Sequence, residues 1–292
     1  MQKVTYINLY GEVIVFGREE PIILASVSGL SRASGKLVTS QGAYQNGETI
    51  HRAQLTPKKV AVTFNIYGCK DRAAMYRQRM QIERVLAYGR CVKNGKCGTL
   101  IYENDAGAWM MDAVPSTSVT YGKRFLNVLP NCKVTFTTSG ASIREQQAKK
   151  GTLRMGAGGF SLPAPLPITL GTRLFVAEMR NEGTVDAPVK ITIYGTGEKP
   201  KVVNHTTGAM IIVDHEIADG ARLEINTNPD ELSCVLVGVD GKETDAFGYL
   251  DADTAISAFS LIPGTNEVEY LPSVPSVGSR MEMEWHSMYE GV

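Results

Sequence analysis

Two carboxylates and an imidazole, Glu282, Glu284 and His286, alternate along one short run with Met281, Met283 and Trp285. In an extended strand successive side chains point to opposite faces, so the three polar groups share one side at intervals of about 7 Å, twice the ~3.4 Å rise per residue. Paired carboxylates beside a histidine are the raw material of general acid–base chemistry. Strands of β-sandwiches also expose alternating charges that pair across the sheet, and nothing in the neighbouring sequence buries these three. They read as the wet face of an amphipathic strand whose core face is Met281, Met283 and Trp285. The remaining histidines, His51, His205 and His215, share no metal-ligand spacing. Cys91 and Cys97 flank Lys93-Asn94-Gly95-Lys96, a two-residue hairpin turn that should pair Val92 with Cys97 and Cys91 with Gly98 and turn the two sulfurs to opposite faces. No second pair of Cys or His completes a zinc set, so both are read as plain thiols. Gly156, Gly158 and Gly159 lack the preceding strand and the following helix of a dinucleotide loop, and prolines stand where that helix would run. Neither Gly-x-Ser-x-Gly nor His-Glu-x-x-His occurs. No catalytic, cofactor or metal site is expected, and the chain is not expected to be an enzyme.

The elements that would carry these residues divide into two charge fields. Residues 1–150 hold 21 Lys+Arg against 10 Asp+Glu, and residues 151–292 hold 9 against 20, so a formal net charge of zero separates into +11 and −11. Such a division argues for two modules built for different surroundings, and 292 residues with 43% apolar content suffice for two cores. The opening residues lack a cationic leader with an apolar run and no stretch approaches ~20 apolar residues, so a cytosolic chain with no membrane segment is expected. Five cysteines, an odd and scattered set (Cys69, Cys91, Cys97, Cys132, Cys234), suit a reducing compartment.

In the first half, Val13, Val15 and Ile22 to Leu24 are strand-like between turn residues. Tyr44-Gln45-Asn46-Gly47-Glu48-Thr49-Ile50 sets Asn-Gly, the pair suited to a type I′ turn, between two polar arms. Arms with so few core residues are read either as an ordinary exposed hairpin or as a projection that a neighbouring chain must stabilise. Val60 to Tyr67 alternates as a half-buried strand. Asp71 caps a helix running to about Tyr88 with Gly89 as its stop, with Met75, Ile82 and Leu86 on one face and Val85 flanking. Arg72, Arg77, Arg79 and Arg84 on this helix lack the aromatic interleaving of a nucleic-acid patch and read as solvated surface or a subunit contact. Strands follow at 99–102, 108–112 and 126–137, and the Gly/Pro-rich stretch 139–172 reads as a linker. Beyond it many short strands follow at sandwich-like spacing: Val189, Ile191 and Ile193; Leu223 and Ile225; 234–239; Phe259 and Leu261.

Several segments, taken in order, resemble the distal tail protein (Dit) family of long-tailed bacteriophages. In the first half these are Ser28-Gly29-Leu30, Tyr44 to Glu48, Val60 to Tyr67, Tyr76-Arg77 through Leu86, and Gly98 to Tyr102. In the second they are Asn181-Glu182-Gly183, Pro188 to Ile191, Tyr194 to Gly197 with Pro200 and Asn204, Thr206-Thr207-Gly208, Asp219-Gly220, Ile225-Asn226-Thr227, Phe259 through Val268, Trp285, and Tyr289 to Val292. The resemblance covers nearly the whole chain except 139–172. It implies a mainly β protein with a ring-forming hub domain over 1–138, a tail-tube-like β-sandwich or barrel with one α-helix. A linker over 139–172 and a galectin-like β-sandwich over 173–292 would follow. It implies a hexameric ring closed by the hairpin arm Tyr44, Gln45, Asn46, Gly47, Glu48 and Thr49, each arm completing a neighbour's sheet. Such a hub would join the tail tube protein to a tail-associated hub protein and to receptor-binding or baseplate proteins, in a virion tail assembled in the host bacterial cytoplasm. Neither membrane nor direct sequence-specific nucleic-acid binding is implied. The alternative function is carbohydrate binding by the second domain during host cell-wall attachment. That reading wants an exposed aromatic platform, whereas Trp285 falls on the core side and Trp109 lies in the other half, so a structural sandwich is preferred.

Overall fold

The computed structural model describes residues 2–154, 176–195, 199–272 and 279–292. The chain forms two compact units, residues 1–146 with Tyr289–Val292, and Gln147–Met288. Divided there, the first unit carries 19 Lys+Arg against 11 Asp+Glu and the second 11 against 19, so the charge split persists at +8 and −8.

The first unit contains strands β1 (Lys3–Ile7), β2 (Val13–Phe16), β3 (Ile22–Ser28), β4 (Gly35–Ser40), β5 (Thr49–Leu55), β6 (Lys59–Ile66), β7 (Val92–Lys93), β8 (Lys96–Asn104), β9 (Gly107–Pro115), β10 (Leu129–Thr138) and β11 (Ile143–Glu145), with helices α1 (Arg72–Val85) and α2 (Tyr88–Cys91). Its main sheet runs β2-β1-β8-β9-β10-β6-β3. A parallel bridge between Gly17 and Ile23, with Leu24 N–H donating to Gly17 O at 2.7 Å, joins the two end strands, so the sheet curls back on itself. Strict alternation in β6, where Val60, Val62, Phe64 and Ile66 are buried, faces the interior. The core is completed by Tyr6 against Phe136 and Phe16 against Phe64, both with ring centroids 4.9 Å apart, and by Met75, Ile82 and Val85 of α1. Asp71 caps α1 as expected, its carboxylate accepting from Ala74 N–H at 2.6 Å.

Gly89 does not end the long helix: α1 stops after Val85, and Gly89 lies inside the four-residue α2. Cys91 ends α2 rather than pairing with Gly98, and its thiol reaches Val85 O at 3.4 Å. The Lys93–Lys96 turn itself forms as read, with Val92 opposite Cys97 and positive φ at both Asn94 (50°) and Gly95 (77°). All five cysteines are free thiols.

The stretch read as a linker is partly strand. β11 lies in it, as does β12 (Lys149–Arg154), the first strand of the second unit; residues 155–172 lie outside the described residues. β12 contributes little apolar surface beyond Leu153, and it forms because it lines the edge of a strand 130 residues on. The second unit continues with β13 (Val176–Asn181), β14 (Ala187–Tyr194), β15 (Lys201–Asn204), β16 (Met210–Ile212), β17 (Arg222–Asn226), β18 (Ser233–Val237), β19 (Glu243–Asp245), β20 (Ser260–Leu261), β21 (Gly264–Leu271) and β22 (Arg280–Trp285). One sheet runs β12-β22-β14-β17-β18-β19, with β20 off β14, and the other runs β13-β21-β15-β16. Both supply one core, in which Ile191, Leu223, Ile225, Met281 and Met283 share a cluster with Met179, Val202, Ile211, Val268 and Tyr270. This is a β-sandwich, and the molecule is mainly β. Trp285 belongs to that core and donates through Nε1 to Arg180 O at 3.2 Å.

Candidate functional site

Strands β4 and β5 form a two-stranded sheet of their own. They occupy the long connection between β3 and β6, which pair directly with each other from Ser28–Ala61 onward. All of β5 and nearly all of β4 is exposed. The hairpin's register reads Gly35–Leu55, Leu37–Ala53, Val38–Arg52, Thr39–Ile50 and Ser40–Thr49. His51 is therefore the additional residue of a β-bulge, and its Nε2 lies 2.6 Å from Ser40 Oγ. The bulge has a consequence for the faces. Counting by twos from Leu55 and Ala53 would bring His51 onto their side, but the inserted residue shifts the phase so that Ile50 opposes Thr39. One face then carries Leu37, Ile50, Ala53 and Leu55; the other carries Lys36, Ser40, Thr49, Arg52 and Gln54 around the single apolar Val38. Leu37 is 53% exposed and Ile50 61%.

The residues read as the arm's tip, Tyr44, Gln45, Asn46, Gly47, Glu48 and Thr49, all lie at the far end of this hairpin, and Tyr44 is fully exposed at 103%. The turn is not the two-residue type I′ expected of Asn-Gly. It is an eight-residue loop, 41–48, between Ser40 and Thr49, and only Gly47 has a positive φ (94°). The Gln45 side chain builds it, accepting from Gly42 N–H at 3.1 Å and donating to Thr49 Oγ1 at 2.9 Å, while Gln41 Nε2 donates to Gln45 O.

The acid–base trio of β22 is dispersed into a charged sheet face. Glu284 pairs with Lys150 at 3.0 Å; Glu282 accepts from the Tyr194 hydroxyl at 3.1 Å and lies 3.7 Å from Arg280 Nε; His286 falls one residue beyond the strand. Beside them Glu224 binds Lys190 at 2.9 Å and Arg222 at 2.7 Å, and the bond from Arg222, followed by that from Lys190, holds its carboxyl below the usual range. Lys150, Lys190, Tyr194, Glu224, Glu282 and Glu284 are among the residues that line a depression of about 320 Å³, and His286 is not. Every carboxylate in it has a cationic or hydroxyl partner already, and the Arg280 guanidinium lies 3.9 Å over the Tyr194 ring. Among the described residues no cluster of His, Cys, Asp and Glu is arranged to hold a metal ion, and no helix is long and apolar enough to cross a membrane.

The sequence motif residues of the second unit have structural work instead. Asn204 and Asn266 are fully buried; Asn266 accepts from Ile262 N–H at 3.0 Å and from Asn204 Nδ2 at 3.2 Å, and donates to Ile262 O at 2.8 Å. Asn181 Nδ2 spans Val185 O and Leu261 O. A side-chain amide that satisfies two or three main-chain groups in a buried loop is hard to replace.

A curled β-unit with one long helix, an exposed two-stranded arm between β3 and β6, and a β-sandwich together make the Dit type of fold. Solved structures share it over nearly the full chain, two phage proteins among them. One is the Dit protein (gp 19.1) of phage SPP1, described as a paradigm of the hub adsorption apparatus in phages infecting Gram-positive bacteria; it has a TM-score of 0.69 and 10% identity, with 99% of each chain covered. The other is a chain of the phage P2 baseplate in its activated conformation with Ca, with a TM-score of 0.54, 14% identity, and 100% of this chain and 99% of that one covered. No protein-family sequence model matches the chain, and no curated protein does.

Proposed function

We propose that this protein is a structural hub subunit of a bacteriophage or prophage tail, and that its subunits close head-to-tail into a six-fold ring in which each arm lies on a neighbouring subunit. The observation that carries this reading is the arm itself. A two-stranded hairpin is marginal in water, and this one keeps an apolar face on Leu37, Ile50, Ala53 and Leu55 that remains largely exposed. A second copy supplies the cover, and a heterologous contact repeated with a closing rotation makes a ring.

In this role the ring joins the tail tube protein to a tail-associated hub protein and to receptor-binding or baseplate proteins at the virion's tail tip, after assembly in the host cytoplasm. The +8 of the first unit favours acidic partner rings, and the −8 of the second keeps sandwiches apart. Carbohydrate binding has less support, because the depression on the sandwich is filled by ion pairs that a neutral sugar would have to displace. Native mass measurement tests the reading: the intact chain should give a ring of six, and removal of residues 41–50 should leave monomer. A ring that survives the deletion refutes the role assigned to the arm.

A further inference from the structure

The arm leaves the first unit through Gly29–Ser34 and returns through Thr56–Lys58, and both stretches are held with unusual closeness. A Cβ on Gly29 would sit 1.9 Å from Lys59 O. Thr56 donates from both N–H and Oγ1 to Ser34 O at 2.9 Å. Lys58 is 3% exposed, although its side chain ends in an ammonium. Its main chain is locked to β10 by Thr138, whose hydroxyl accepts from Lys58 N–H at 2.9 Å and whose own N–H donates to Lys58 O at 3.0 Å. The Nζ donates to Ser31 O at 2.6 Å and, across 232 residues of sequence, to Glu290 O.

That second acceptor belongs to a segment that rejoins the first unit after the whole of the second has been traversed. Val292 N–H donates to Leu30 O at 3.1 Å, and Gly291 lies so close that a Cβ there would meet Arg32 N at 2.7 Å and the Ser31 carbonyl carbon at 2.9 Å. One side of the arm's root is thus lined by Glu290–Val292, and the buried ammonium ties that segment to Ser31. Ammonium groups are seldom buried without compensation, and burial pushes the pKa of this one down, with Glu290 opposing the shift.

We infer that Lys58 and the segment Tyr289–Val292 form a clasp that positions the arm, fixing the angle at which β4 and β5 leave the unit and so the contact they offer a second copy. Lys58 is a positioning residue in this scheme, because it touches the root and not the interface. The clasp rests on the ring reading above for its purpose but not for its existence. It also gives the return of the chain a use: the last strand of the sandwich is followed within a few residues by the element that steadies the arm.

The test is hydrogen exchange on the full chain, diluted below assembly, with Lys58→Met, which keeps the stem and removes the donors, and with Gly291→Ala, which wedges the segment away from Arg32. Both should speed exchange of the amides of Thr56 and Val292, which donate to Ser34 O and Leu30 O, at least tenfold and leave β8 and β9 unchanged. In concentrated samples both should raise the concentration of half-assembly at least tenfold. Unchanged exchange at the root in both variants overturns the clasp. If Lys58→Met also loosens β8 and β9, Gly291→Ala decides. A wild-type chain that never assembles, yet whose root loosens in the variants, sinks the ring reading and leaves the clasp standing.

Discussion

Replacing Leu37 and Ile50 together by Thr would separate the arm's own stability from its role in assembly. Threonine is itself favoured in strands, so the hairpin's backbone is not the variable. Full burial of a Leu or Ile side chain contributes about 1.5–3 kcal/mol, and the exposed fractions of 53% and 61% leave roughly half of that to be gained when a second chain covers the face. Each substitution should then cost about 1 kcal/mol of contact energy, or ~2 kcal/mol for the pair, which weakens one subunit contact about 30-fold. The isolated subunit should lose less than ~0.5 kcal/mol, as exposed substitutions do. Light scattering across a dilution series reads the first number, and denaturant unfolding of the dilute protein reads the second. A half-assembly concentration that stays put refutes the reasoning. So does a clear loss of subunit stability, because it would mean that the two side chains already serve their own unit.

Two further outcomes concern the second unit. Asn266→Ala removes the partner of both Ile262 N–H and Ile262 O, each unpaired group costing about 1–3 kcal/mol, while Asn204 Nδ2 keeps Ser260 O, so the denaturant midpoint of the sandwich should fall by the equivalent of ~3 kcal/mol; a loss under ~1 kcal/mol would show that the loop refills the site. Burial, with Asp245 adding to it, pushes the Cys234 thiol from 9.0 up to about 11, and burial pushes Tyr270 from 10.0 up to about 12. An acid whose folded pKa is raised stabilises the fold fully below its unfolded value and loses that contribution as pH rises through the folded one. Stability should therefore decline from about pH 9 upward and Cys234→Ala should make the decline between 9 and 11 shallower; a flat wild-type profile would contradict the assignment.

Much of the fold was legible wherever one face of an element is buried by its own unit. β6, β14, β17 and β22 alternate because their inner residues meet a core, and Asp71 starts α1 because a cap is a local bond. Two Asn-Gly pairs show the limit. Asn94-Gly95 makes a two-residue turn since Val92 and Cys97 hold the register on either side. Asn46-Gly47 does not, since the first strand ends five residues earlier and the second begins one residue later than the dipeptide alone would have them, and the Gln45 side chain shapes the loop instead. β12 was hidden for a related reason: Lys149–Arg154 has the composition of a linker, and only the distant β22, with Glu284 opposite Lys150, makes it a strand. The clasp at Lys58 joins residues 232 apart, and no local pattern announces it.

The arm's bulge bears most directly on what the protein does. A hairpin meant only for water has no need to keep its apolar residues on one side, and a bulge interrupts the ladder and leaves a residue unpaired. Here the interruption falls at His51, and its effect is to carry Ile50 back to the face of Leu37, Ala53 and Leu55. Without it, alternation would place Ile50 among Lys36, Arg52 and Gln54. The opposite face stays polar, so the hairpin is amphipathic along its length, as a strand is when one side lies on another body and the other faces solvent. Covering that side within the same chain would have required the arm to fold back, and its root is instead held outward by Lys58, Gly291 and Val292. The two features act in one direction: the clasp denies the arm its own unit, and the bulge prepares it for another.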